Sequence, residues 1–134
     1  MKILTAEMLG CRRGPEEYFT GTVWIDAVAA PPAPAHFRAN RVAFEPGAHT
    51  AWHSHPVGQA LHVLSGLGWV QLKGEAAQAI RPGDTVWIEP GEVHWHGAAA
   101  GRTMVHLAMQ EADAGGVDVV WLEKVSDAEY EAAQ

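Results

Sequence analysis

Cysteine is nearly absent from this chain. Cys11 stands alone, so no intrachain disulfide can form and nothing points to an oxidising compartment. Basic residues are also scarce: Lys and Arg total 9 against 16 Asp and Glu, a net charge of -7, and their one cluster is Arg12-Arg13. So acidic a chain cannot displace counterions from phosphates, and no nucleic-acid partner is expected. No apolar run approaches the roughly 20 residues that span a bilayer, so no membrane partner is expected either. Met8-Leu9-Gly10-Cys11 has the outline of a lipoprotein cleavage site, but Glu7 stands where its apolar core should be and too few residues precede it. The expected compartment is the cytoplasm. With 134 residues there is room for one domain and not two. A hydrophobic fraction of 48% with 19% charged residues excludes disorder.

What the chain does have is 14 Gly, 8 Pro, 8 His and 6 Trp. The Gly and Pro punctuate short runs with strand character. Strands are expected over 21–28, ended by Pro31-Pro32-Ala33-Pro34, then over 36–45, 50–55, 59–65 and 68–73. The last two flank Gly66 as if joined by a tight turn. Further strands follow at 78–80, 85–88, 93–97, 103–110 and 117–125, and Ser126-Asp127-Ala128-Glu129 has the pattern of a capping box opening a short helix over about 126–133. The organisation predicted is an all-β single domain: an N-terminal arm over 1–20, a jelly-roll β-barrel over about 21–125 and the short helix. A barrel of this size encloses room for one small ligand.

His53 and His55 are two apart on an expected strand and so point to one face. Gln59 follows across the turn Pro56-Val57-Gly58, and His94 opens a later strand after another Pro-Gly turn. Three neutral imidazoles and an amide oxygen converging inside a barrel would hold a divalent transition metal with positions left open.

Gly47-x5-His53-x-His55-x3-Gln59-x6-Gly66 resembles the first cupin motif, with Gln59 where a Glu usually stands. The run from Gly83-Asp84 through Pro90-Gly91-Glu92-Val93-His94 resembles the second, with Glu89 where the family usually has Pro and Ala98 where an Asn is often found. A narrower resemblance rests on Tyr18-Phe19-Thr20-Gly21-Thr22-Val23, Phe44-Glu45-Pro46-Gly47, Thr50-Ala51-Trp52-His53, His94-Trp95-His96-Gly97-Ala98-Ala99 and His106-Leu107-Ala108 with Gln110-Glu111. These strings resemble the bacterial manganese-dependent cupin hydroxynitrile lyases, carbon–carbon lyases that cleave and form cyanohydrins such as mandelonitrile. The resemblance implies His53, His55, Gln59 and His94 as metal ligands and His106 as the acid/base residue. It implies Mn2+ as the ion, with Fe2+, Zn2+ or Ni2+ as alternatives, and a homodimer or homotetramer, since small cupins commonly pair their barrels.

The ligand types carry an argument of their own. An amide in place of a carboxylate leaves the full dipositive charge on the ion, which favours Lewis-acid chemistry over redox oxygen chemistry. Ligation requires neutral imidazoles, so occupancy should fall below about pH 6. His106 shares a strand face with Met104, Ala108 and Gln110, and is read as taking the proton of a substrate hydroxyl. His96 shares the face of His94 and serves as a second base or a polar wall; with Gln110 it would hydrogen-bond the substrate. Asn40, Val42 and Phe44 share another face and are placed at the cavity mouth, a slot for an aromatic aldehyde. His49 and His62 are expected on the outer face, and His36 carries no signal. Trp52, Trp69, Trp87 and Trp95 read as packing or interface residues. Other functions compatible with the same ligands are a cupin dioxygenase, a decarboxylase or isomerase of a small oxo-acid, and a small-molecule-binding module without turnover.

Overall fold

The computed structural model describes residues 1–134. In chain order the elements are α1 (Ala6–Leu9), β1 (Cys11–Arg13), β2 (Phe19–Thr20), β3 (Val23–Ala29), β4 (Phe37–Phe44), β5 (His49–Thr50) and β6 (His53–Ser54). Then come β7 (Gln59–Gly66), β8 (Gly68–Leu72), β9 (Gln78–Ile80), β10 (Thr85–Ile88), β11 (His94–Ala98), β12 (Met104–Glu111), β13 (Val120–Trp121) and α2 (Asp127–Ala132). Six strands form one sheet, the larger by residues though not by strands, in the order β1-β3-β4-β12-β7-β10. A second sheet runs β13-β6-β11-β5-β2, with β8 added on β11 and β9 on β8. The architecture is the jelly roll anticipated, two antiparallel sheets facing each other across one core.

Strand alternation fills that core. Val42 and Phe44 of β4, Leu61 and Val63 of β7, and Met104 and Ala108 of β12 are buried and belong to a 14-residue cluster between the sheets. His106 lies in the same inward row of β12, fully buried. Every residue of β11 is buried, on both of its faces. The reason is α2, which covers the outer side of the second sheet. Its capping box is complete: the Glu129 amide donates to the Ser126 hydroxyl at 3.2 Å, and the Ser126 amide donates to the Glu129 carboxylate at 2.8 Å. Tyr130 then donates its hydroxyl to the Ala98 carbonyl at 2.8 Å. Beneath the helix Trp52, Trp95, Val125 and Ala133 form a second small core.

Three expectations need correction. The strands flanking Gly66 do not pair: β7 lies in the larger sheet and β8 in the other, so Gly66 is a corner between sheets. It has φ 87, and a Cβ there would sit 1.9 Å from the Thr103 carbonyl oxygen, so only glycine turns this corner. The strand expected over 50–55 is broken into β5 and β6, leaving His55 beyond its end. The segment over 117–125 is a strand only at Val120–Trp121. The N-terminal arm adds to both sheets, with β1 paired to β3 and β2 to β5. His49 does lie outside the barrel, but buried under α2 with its ring stacked 4.4 Å from that of Tyr130. His62 is partly exposed and bonds Thr85 at 2.8 Å.

Candidate metal centre

Both sheets and the turn between them deliver the side chains expected as ligands. His53 and His94 are direct cross-strand partners on β6 and β11. Gln59 begins β7 on the opposite sheet, and His55 stands in the turn between β6 and β7. The ring centroids of His53 and His94 are 4.2 Å apart, those of His53 and His55 5.1 Å, and those of His55 and His94 5.5 Å.

The Nδ1 partners decide what each ring can do. Nδ1 of His53 bonds the Ala51 carbonyl at 2.9 Å, that of His55 the Asp118 carbonyl at 2.7 Å, and that of His94 the Glu92 carbonyl at 3.0 Å. A carbonyl only accepts, so the hydrogen sits on Nδ1 and each Nε2 carries a lone pair. Gln59 donates its Nε2 to the Gln110 oxygen at 3.0 Å, which frees its Oε1. His55 Nε2, His94 Nε2 and Gln59 Oε1 are all buried with no hydrogen-bond partner. Buried lone pairs are normally satisfied, so several orphans converging in one place are a mark of an ion site. The residues present fit a divalent transition metal held by three nitrogens and one oxygen. A turn locks the two motifs together. Glu89 donates its amide to the Glu92 carboxylate at 2.9 Å, a bond that the proline usual at this position could not make, and Gly91 donates to the His55 carbonyl at 2.9 Å.

Behind this set stands a second pair. Ligating atoms of His53, His94 and His96 lie within 4.8 Å of one another, so these three histidines are positioned to bind a metal ion, a grouping that takes His96 in place of the expected His55. His96 differs in what holds its Nδ1: the partner is His106 Nε2 at 3.1 Å, across the gap between sheets. An imidazole nitrogen can either donate or accept, so the tautomer of His96 is left open where those of His53, His55 and His94 are set. His96 Nε2 and His106 Nδ1 have no partner. Burial, which disfavours the charged form, lowers the pKa of all five rings. His94 and His106 come down to about 4. All five are therefore neutral at pH 7.

The cavity in front of them measures about 480 Å³. Asn40, Val42, Gln110, His96 and His106 line it, as do Tyr18, Phe19, Ile25 and Trp121. Phe44, expected at the mouth, does not line it. It is 1% exposed and packs on the rings of His96 and His106, because β4 runs inward from Asn40 and residue 44 reaches the closed end. Two contributions were missed in the sequence. Arg12, Tyr18 and Phe19 of the arm reach the cavity, and Asp118 bonds both His55 and Gln110. The lone acidic residue in Val117-Asp118-Val119-Val120 is the only local sign of the latter.

Comparison with known proteins agrees with this fold. The cupin domain family matches residues 40–109. The chain belongs to the cupin family. A relative from Granulicella tundricola named (R)-mandelonitrile lyase is 53% identical over 119 residues, covering 88% of this chain and 89% of its own length. Among solved structures, a cupin-like protein from Thermotoga maritima superposes with TM-score 0.85 at 38% identity, covering 90% of this chain and 91% of that one. The polyketide cyclase RemF of Streptomyces resistomycificus shares the cupin fold at TM-score 0.73 and 19% identity, over 98% of this chain and 91% of its own. No helix of this cupin is long and apolar enough to cross a membrane.

Proposed function

We propose that this cupin is a metal-dependent carbon–carbon lyase that cleaves and forms cyanohydrins of the mandelonitrile type, with Mn2+ as its ion. The observation that carries the reading is a set of four uncharged lone pairs, on Nε2 of His53, His55 and His94 and Oε1 of Gln59, beside a neutral histidine pair and a cavity with an apolar wall. Its relative's name, (R)-mandelonitrile lyase, supports the substrate class. A divalent ion held by His53, His55, Gln59 and His94 would supply a Lewis acid for the substrate oxygen or the leaving cyanide.

The chain's own residues do the rest. Tyr18, Phe19, Ile25, Val42, Ala108 and Trp121 surround the cavity and suit an aryl group. In one tautomer His96 offers a lone pair at Nε2 while its Nδ1–H donates to His106 Nε2. The substrate hydroxyl gives its proton to the pair, with His106 taking it through His96. The C–C bond then breaks, its electrons leave with cyanide, and the carbonyl of the aldehyde forms. Burial makes the charged pair a ready acid, so it returns the proton to cyanide and ends neutral.

Elemental analysis of the purified protein, paired with mandelonitrile cleavage by wild type and His106→Gln, tests the reading. The expected result is bound transition metal in both proteins and a loss of about 100-fold or more in the variant. Full activity in a metal-loaded variant would refute the role of His106. Absence of bound metal, or oxygen uptake in place of cleavage, would refute the reaction.

A further inference from the structure

A glutamine side chain has one end that can ligate a metal and one that cannot. Nothing about Gln59 by itself selects the oxygen. We infer that Asp118 is a positioning residue that makes this selection through Gln110, an inference that rests on the metal reading above.

The strand register lays out the parts. Gln59, Gln110 and Arg38 are consecutive partners in one row across β7, β12 and β4. Asp118, in the loop after β12, meets that row: Gln110 Nε2 lies 3.3 Å from its Oδ2, and Arg38 Nε lies 3.5 Å from the same oxygen. A carboxylate only accepts, so Gln110 must turn its NH2 group to Asp118 and its oxygen the other way. That oxygen also only accepts, so Gln59 must turn its own NH2 group toward it, at 3.0 Å. Gln59 Oε1 is what remains, buried and unpartnered in the cavity. One fixed polarity thus propagates through two amides to the metal position.

The same residue holds a second ligand from its main chain, whose carbonyl takes His55 Nδ1 at 2.7 Å. Its loop is braced for the task. Asp113 accepts the amides of Gly115 at 2.8 Å and Val117 at 2.9 Å on one carboxylate oxygen, and donates its own amide to the Val117 carbonyl at 2.8 Å. Arg38, 3.5 Å from the carboxylate, holds it toward the row.

The test measures Mn2+ affinity by chelator competition for wild type, Asp118→Asn, Gln59→Glu and the double variant. Asp118→Asn keeps the main-chain carbonyl for His55 but can present either end of its amide, so the dissociation constant should rise about tenfold. Gln59→Glu needs no orienting, because both ends of a carboxylate ligate. It accepts most readily from Gln110 NH2, which turns the Gln110 oxygen toward residue 118, where a carboxylate repels it and an asparagine can donate. In the Gln59→Glu background, then, Asp118→Asn should leave affinity unchanged or improve it. A residue acting by charge alone would weaken both backgrounds equally, and such an additive cycle overturns the inference while sparing the metal reading. Failure of every protein to bind the ion overturns both. A further measurement needs no variant: the Gln59 and Gln110 side-chain amides of the wild-type apo-protein should each give one slowly exchanging pair of NMR signals. Two interconverting sets for either amide would overturn the inference.

Discussion

Replacing His106 by Gln should flatten the pH dependence of folding stability. His106 is fully buried, and burial brings its pKa from 6.5 to about 4. In the unfolded chain the ring titrates near 6.5. Between these values the unfolded state binds a proton that the folded state refuses, so stability is intact above pH 6.5 and drains as pH falls toward 4. Below about 4 both states are charged and the loss stops growing. Fully expressed, the difference is about 3 kcal/mol. At pH 5 the linkage relation gives RT ln of about 30, or about 2 kcal/mol. Gln at 106 does not titrate and can still hydrogen-bond His96 Nδ1. The assay is urea unfolding of chelator-treated wild type and His106→Gln at pH 7.5, 6 and 5. Between the extremes wild type should lose about 2 kcal/mol more than the variant. Parallel curves would mean that His106 takes up its proton as readily in the folded protein as in the unfolded chain, and would refute a ring held neutral by burial.

Other outcomes follow from the same packing. Gly97→Ala would place a Cβ 2.4 Å from the Cβ of His49 and 2.6 Å from the Ala48 carbonyl oxygen, both rigidly held. It should cost about 1–3 kcal/mol in thermal unfolding, and a neutral result would refute the tight approach of β5 and β11. His94 titrating at about 4 means that protons compete with metal only at low pH. Release followed by elemental analysis should therefore have a midpoint well below pH 6, and a midpoint above it would refute buried ligation. The outer face of the larger sheet exposes Trp24, Leu64 and Trp87 where a solvated sheet should be polar. Five strands at ~4.8 Å spacing and ~3.3 Å per residue give a footprint of about 600 Å². That approaches the ~800 Å² per partner of a standard interface, and a second copy is the expected cover. Light scattering should show a dimer or larger that Leu64→Ser with Trp87→Ser dissociates, and a wild-type monomer would refute it.

What could be read from the sequence was whatever depended on neighbours in the chain. His53, His55 and Gln59 lie within seven consecutive residues, and Pro-Gly turns bracket them, so their convergence is a local matter of strand and turn. Alternation likewise put His94 with His96, and His106 with Ala108. What could not be read was depth and distance across the barrel. Parity places Phe44 on the same face as Asn40 and Val42, but nothing in it says that residue 44 ends at the closed side, under His96 and His106. His96 and His106 come from different sheets, and their 3.1 Å contact is set by the thickness of the core. The corner at Gly66 has the look of a hairpin until the partners of β7 and β8 are known.

Asp118 is the sharpest case. Its carbonyl reaches back 63 residues to His55, and its carboxylate reaches Gln59 only through Gln110. No periodicity encodes such a path, because each step is a donor meeting an acceptor brought near by register. The asymmetry has a physical root. Ligands must be of particular chemical types, so they leave marks in the sequence. The groups that aim them need only one acceptor in the right place, and three of the five here are main-chain carbonyls, which every residue has. In this protein the aim of the three histidines proposed as ligands is set by carbonyls of Ala51, Asp118 and Glu92, and only the proposed amide ligand requires a side chain to orient it. A substitution at Ala51 that preserves the backbone should therefore leave metal affinity unchanged, while one at Gln110 or Asp118 should not.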